Sequence, residues 1–143
     1  MQEQPAISSE YSVSGKSSRS LEDLAVWKKA HALVLRIYGL TSEFPDTERY
    51  GLVSQMRRAA VSVPANVAEG FSKRSPLHKL NFYNIAQGSL EELRYYVILA
   101  RDLGYLRTAV ETLKQADEVG RMLHGLMRAV GSDTVGMRRG RKA

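Results

Sequence analysis

The sequence predicts an all-α protein, an antiparallel up-down-up-down four-helix bundle whose second helix is kinked at Pro64. Three observations predict it. Apolar residues recur at helical three-and-four spacing through four long segments. Helix stop and start signals separate those segments: Pro45, the Ser75-Pro76 pair and Gly104. Alternating β-rich runs and Asn-Gly or Asp-Gly hairpin turns are absent, and no repeat recurs at solenoid spacing.

The first helix begins at Leu21. Ser20 is placed to cap it, and Glu22 and Asp23 put negative charge in the first turn, where the helix dipole favours it. Trp27, His31, Val34 and Tyr38 fall on one stripe, and Ala30, Leu33, Ile37, Leu40 and Phe44 on its neighbour, while Lys29, Arg36 and Glu43 mark the wet side. Pro45 ends the helix, because the residue before a proline avoids the helical region. The second helix starts between Asp46 and Leu52, buries Leu52, Met56, Ala59, Ala60, Val63, Val67 and Phe71, and stops near Gly70 to Lys73. The third opens on Ser75 as N-cap with Pro76 at the first helical position, where no N–H is needed. It runs to Leu103, and Gly104 supplies a left-handed stop. The fourth opens with a capping box, Thr108 and Glu111, turns Leu113, Ala116, Gly120, Leu123, Met127 and Val130 inward, and ends at Gly131.

Two places depart from an ordinary bundle. Pro64 lies inside the second helix, where it removes the N–H that would bond the Ala60 carbonyl. In a free helix that costs about 3 kcal/mol, so neighbouring helices must close around the segment. The run Tyr95–Ala100 (YYVILA) is apolar on every face. A helix apolar all round is buried all round, so the third helix is expected to meet another subunit, making the protein a homo-oligomer.

Composition narrows the function. The chain has 143 residues, 43% hydrophobic and 25% charged, the size and balance of one globular domain. With no cysteine it has no disulfides, thiolate nucleophiles or Cys-ligated metals. No apolar run reaches the ~20 residues of a membrane span and no signal peptide opens the chain, so a cytoplasmic location is expected. Residues 1–20 hold seven serines and are expected to be disordered, residues 21–131 form the bundle, and residues 132–143 are a flexible basic tail. The net charge is +6, of which the tail supplies half through Arg138, Arg139, Arg141 and Lys142 against Asp133. That weakens the case for a strongly basic folded surface.

Catalytic and metal signatures are missing. The residues three before His31, His78 and His124 are Lys28, Ser75 and Arg121, so the Glu-x-x-His of a di-iron bundle is excluded. There is no HExxH and no Gly-rich phosphate loop after a strand. His31, on an apolar stripe, is expected as a hydrogen-bonded core histidine, and His78 and His124 as surface residues. Glu69 and Glu92 are both acidic, but no third group is placed to activate water. No enzyme activity, cofactor or metal is expected.

The second helix does carry a continuous polar stripe: Gln55, Arg58, Ser62, Asn66 and Glu69. It lacks lysine and consists of mid-sized hydrogen-bonding groups, which suggests an internal polar network. On the third helix Glu92 lies between apolar neighbours in the stripe Ile85, Ser89, Glu92, Tyr96, Leu99. A buried carboxylate needs a partner, so Glu92 is expected to meet Arg58, with Ser89 or Asn66 completing the network.

Basic residues offer candidate phosphate contacts: Lys28 and Lys29 on the first helix, Arg57, Lys73 and Arg74 on the second, then Arg107, Lys114, Arg121 and Arg128, the last three every seven residues on one outer face. Acidic residues are interleaved, no nucleic-acid-reading motif is present, and no exposed aromatic cluster suggests base stacking.

The segments LEDLAVWKKA, YGLVSQMRRAAVSVPANVAEG and FYNIAQGSLEELRYYVILARDLGYL resemble the small four-helix-bundle family named for proteins encoded within 23S ribosomal RNA intervening sequences. The resemblance implies an antiparallel bundle assembled as a homopentamer, related to the accessory variability protein of diversity-generating retroelements. The family's hallmark positions correspond to Gln55, Arg58, Ser62, Pro64, Asn66, Glu69, Gly70, Gly88, Ser89 and Glu92. The resemblance brings no biochemical activity. The expected function is a non-enzymatic homo-oligomeric adaptor or scaffold that touches RNA or DNA through phosphates. The alternative is a protein–protein interaction module with no nucleic-acid role.

Overall fold

A computed structural model describes residues 20–142, with side chains described for residues 20–132. Four helices run along the chain: α1 (Ala25–Thr41), α2 (Leu52–Ser72), α3 (Pro76–Asp102) and α4 (Val110–Lys142). Each packs against the next and α1 closes onto α4, which leaves α2 diagonal to α4, as in an up-down-up-down bundle. Ile37, Met56, Leu93 and Leu123, one from each helix, are fully buried at the centre. Each such side chain contributes about 1.5–3 kcal/mol of burial.

The helix ends follow local chemistry, with three corrections. Residues Leu21–Asp23 form a separate 3-10 turn instead of the first turn of α1. The Asp23 carboxylate closes that turn by accepting from the Ser20 backbone N–H at 3.2 Å and the Ser20 hydroxyl at 3.1 Å. Second, α1 stops at Thr41, ahead of Pro45. The Thr41 hydroxyl turns back to donate to the Ile37 carbonyl at 2.7 Å, and Phe44 then buries itself in the connection against the Tyr105 ring. Third, α4 continues past Gly131 to Lys142. Among the described residues only Gly104 has a positive φ, 83°, so Gly131 gives no left-handed stop, whereas Gly104 ends α3 as expected. The expected disorder of residues 1–20 lies, but for Ser20, outside the described residues, as do the side chains of the basic tail beyond residue 132.

Capping is otherwise largely as the sequence predicts. The Ser75 hydroxyl accepts from the His78 N–H ahead of Pro76. At α4, which begins at Val110, the Thr108 hydroxyl accepts from the Val110 N–H, but Glu111 does not return a bond to Thr108, so the predicted capping box is only half formed. The N-terminus of α2 is capped from a distance. Glu48 Oε1 accepts from the Leu52 N–H at 3.2 Å while its Oε2 accepts from the Tyr105 hydroxyl at 2.8 Å. One carboxylate thus ties the α1–α2 connection to the α3–α4 connection, and that hydrogen bond raises the Tyr105 phenol above its ordinary pKa.

Pro64 is buried within an unbroken α2. Six residues on, Gly70 meets the fully buried Tyr83 of α3 so closely that a Cβ there would lie 2.5 Å from a ring carbon. Glycine is therefore required by packing, since its backbone is ordinary helix. Burial raises the Tyr83 phenol pKa.

Candidate functional site

The outer face of α2 carries two adjoining features. The first is the predicted polar stripe, which proves to be a seam between α2 and α3 and not a buried network. Ser62 and Ser89 share a hydrogen bond of 2.8 Å across the two helices. Asn66 Nδ2 donates to the Ser62 carbonyl at 2.8 Å and to the Ser62 hydroxyl at 2.9 Å. These three half-buried residues are the part of the stripe that the structure brings together. Gln55, Arg58, Glu69 and Glu92 are exposed. Glu69 faces Lys73 at 3.9 Å, a loose pair.

Glu92 does not pair with Arg58. Its Oε2 accepts from the Tyr96 hydroxyl, one turn along α3, at 2.6 Å. That bond raises the Tyr96 phenol pKa, helped by partial desolvation and the Glu92 charge and opposed by the nearby Arg58 charge. The stripe runs along the water-facing edge of the seam, so neither charge is stranded and no ion pair is needed.

The second feature is a cleft of about 610 Å³ between the C-terminal end of α1, the α1–α2 connection and α2. Tyr38, Arg49, Tyr50, Ser54, Arg57 and Arg58 supply its polar and aromatic lining, and Ser62 joins it to the seam. Neither Asp nor Glu lines it. Arg57 is fixed in place: its Nε donates to the Thr41 hydroxyl at 2.9 Å, its Nη2 to the Tyr38 carbonyl at 3.4 Å, and its guanidinium lies over the Tyr38 ring at 4.5 Å. Thr41 holds it because that hydroxyl spends its own proton on the Ile37 carbonyl. Arg58 is exposed, with no hydrogen bond or ion pair to another described residue. Arg49 lies over the Tyr50 ring at 5.6 Å.

Of the predicted phosphate contacts, only Arg57 belongs to this cleft. Lys29 pairs with Glu118 at 3.0 Å, and Lys73 lies over the Phe82 ring at 5.2 Å. Lys28, Arg74, Arg107, Lys114, Arg121 and Arg128 are exposed, and the last three stand on α4, diagonal to α2. The sequence reading missed Arg49 and Tyr50 and counted Tyr38 as an apolar stripe residue. Tyr50 is 88% exposed and Tyr38 41%, so an exposed aromatic pair interleaved with arginines does exist. Its signal was the Arg49-Tyr50 dipeptide eight residues ahead of Arg57-Arg58.

Next to the cleft, Trp27, His31, Pro64 and Ala68 line an apolar groove of about 300 Å³. His31 is exposed and stacks on Trp27 with ring centroids 5.1 Å apart, so it is not the core histidine the stripe suggested. A histidine beside a tryptophan satisfies an apolar stripe through its ring face while its nitrogens stay wet. Among the described residues no cluster of three potential metal ligands occurs, and no helix is long and apolar enough to cross a membrane.

Comparison with known proteins agrees with this architecture. No curated protein matches the chain. A solved structure of a protein of unknown function from the S23 ribosomal protein family of Bacteroides thetaiotaomicron superposes with a TM-score of 0.67 at 21% identity, covering 72% of this chain and 95% of that one. At that identity the likeness speaks for the fold. The family model described as 23S rRNA-intervening sequence protein matches residues 22–125, which takes in α1, α2, α3 and the first half of α4, with both the seam and the cleft, so the chain belongs to the 23S rRNA-intervening sequence protein family.

Proposed function

We propose that the protein is a non-enzymatic, homo-oligomeric helical scaffold that holds RNA or DNA by its phosphates. The observation that carries this reading is the convergence of Arg49, Arg57 and Arg58 in one cleft that no acidic residue lines. Guanidinium groups match phosphate geometry with paired N–H donors, and one of the three is already oriented by Thr41 and the Tyr38 carbonyl. Self-association is supported by the outer face of α3. Within the YYVILA run Val97 and Ala100 are buried in the chain's own core, but Tyr95 remains 58% exposed, and Ile85 is exposed on the same face. Gly88 lies between them with open space where a Cβ would stand, although glycine in a helix costs about 1 kcal/mol against alanine.

The test is a salt titration of binding to a generic RNA, with the full chain and with a variant in which Arg138, Arg139, Arg141 and Lys142 are changed to Gln, alongside mass measurement in solution. A slope of log affinity on log salt that survives the tail changes, in an oligomeric protein, is expected. A monomer that binds no nucleic acid removes this reading and leaves the protein-interaction module, for which the Trp27–Pro64 groove is the surface.

A further inference from the structure

We infer that the α1–α2 cleft is a single-strand site, in which a phosphate sits against Arg57 and Arg58 while the adjoining base stacks on Tyr50. This rests on the phosphate-binding reading above and adds the form of nucleic acid. The cleft's volume, about 610 Å³, is in the range of small-ligand sites, roughly 300–1,000 Å³. It is a shallow cleft, open to solvent, at a helix connection.

Tyr50 is the decisive residue. It is 88% exposed, the most exposed large hydrophobic side chain of the described residues, and the Arg49 guanidinium lies against its ring. An exposed tyrosine with a cation against it is a stacking platform, because base–aromatic contact tolerates any base and gains from a neighbouring arginine. Such stacking requires an unpaired base, which a duplex does not offer. The charge is set for the same purpose. Arg57 has committed Nε and Nη2 inward and keeps further N–H donors, while all the donors of Arg58 remain free of described partners. The closest acid along the chain, Glu48, has both oxygens engaged, by the Leu52 N–H and the Tyr105 hydroxyl. Glu92 is hydrogen-bonded to Tyr96 and is not part of the lining.

The experiment is fluorescence anisotropy of the full-length protein with labelled oligo(U), oligo(dT) and a mixed-sequence DNA duplex of equal phosphate number, at one salt concentration. Both single strands are expected to bind at least about 10-fold more tightly than the duplex, consistent with one or two stacked bases. Tyr50→Ala is expected to erase that preference, and Tyr50→Phe to keep it. Arg57→Gln with Arg58→Gln is expected to weaken both forms and flatten the salt dependence. Tyr50 is a surface residue, and a circular dichroism melt of each variant checks folding. Equal binding of strand and duplex, or a preference that Tyr50→Ala leaves intact, overturns the single-strand site while the phosphate-binding reading stands. Absence of binding to all three probes overturns both.

Discussion

The two faces of α2 obey different rules although they share one backbone. Its inward face (Met56, Ala60, Val63, Val67, Gly70) is buried in the described structure and makes contacts fixed to a fraction of an ångström. Its outward face (Gln55, Arg58, Ser62, Asn66, Glu69) is exposed or half-buried and makes few contacts. Protein interiors are packed like molecular crystals, so the inward face has no slack. The outward face keeps its polar groups in water at little cost, which leaves them available to a ligand. Stability should therefore reside on one side of this helix and binding on the other.

The inward face should respond most strongly. Met56→Ala leaves a hole beside a side chain with no solvent exposure and is expected to cost about 2–5 kcal/mol in a urea melt. Gly70→Ala forces a Cβ into the Tyr83 ring, which is not a flexible tip that can swing aside, and is expected to cost about 1–3 kcal/mol. Neither change should alter nucleic-acid affinity per folded molecule at low temperature. Loss of affinity in a fully folded Gly70→Ala protein would show that the two faces are coupled.

Tyr83 gives the inward face a pH signature. Its phenol pKa is raised by burial, so the folded state holds the proton more tightly than the unfolded chain. The resulting stability is complete below the unfolded value of about 10 and is lost as pH climbs through the raised folded value. Tyr83→Phe keeps the ring against Gly70 and should reduce the alkaline loss measured by melts between neutral and high pH. Tyr96 and Tyr105, also raised, contribute in the same direction.

The α2–α3 seam on the outward face should give an intermediate result. Ser62→Ala removes the hydrogen bond to Ser89 and one of the two acceptors of Asn66. All three groups are partly wet, so a loss of about 0.5–1.5 kcal/mol is expected in the same melt. Ser89→Ala should cost a similar amount, and the double variant less than the sum.

These two faces were unequally legible in the sequence. The inward face depends on a local regularity, the three-and-four spacing from Leu52 to Val67, which survives translation into structure because any amphipathic helix must bury that stripe. Gly104 and Ser75-Pro76 were legible for the same reason, as each acts within one turn of itself. The expected stops at Pro45 and Gly131 misled because a proline four residues past the last helical residue, or a glycine without a positive φ, permits an ending without dictating where it falls. The cleft joins Tyr38 of α1, Arg49 and Tyr50 of the connection, and Arg57 of α2, and no single periodicity links them. Burial of Glu92 was inferred from apolar neighbours along α3, but neighbours along a helix do not say which side of a bundle faces water.

Arg58 separates the two accounts of the outward face with the smallest expected effect. If Arg58 and Glu92 formed a buried pair, Arg58→Ala would strand a carboxylate and cost about 3–5 kcal/mol. In the structure Arg58 is exposed, and Glu92 keeps its bond from the Tyr96 hydroxyl whatever becomes of Arg58. The expected change in stability is within about 0.5 kcal/mol, the level of an ordinary surface substitution. Binding should respond where stability does not: losing one phosphate contact lowers affinity across sequences and reduces the salt slope by about 1. A melt and a salt titration on this one variant therefore give opposite answers under the two accounts. A large stability loss would place Arg58 in an interface, with another copy of the chain covering the outward face of α2, and the cleft would then be a contact between subunits.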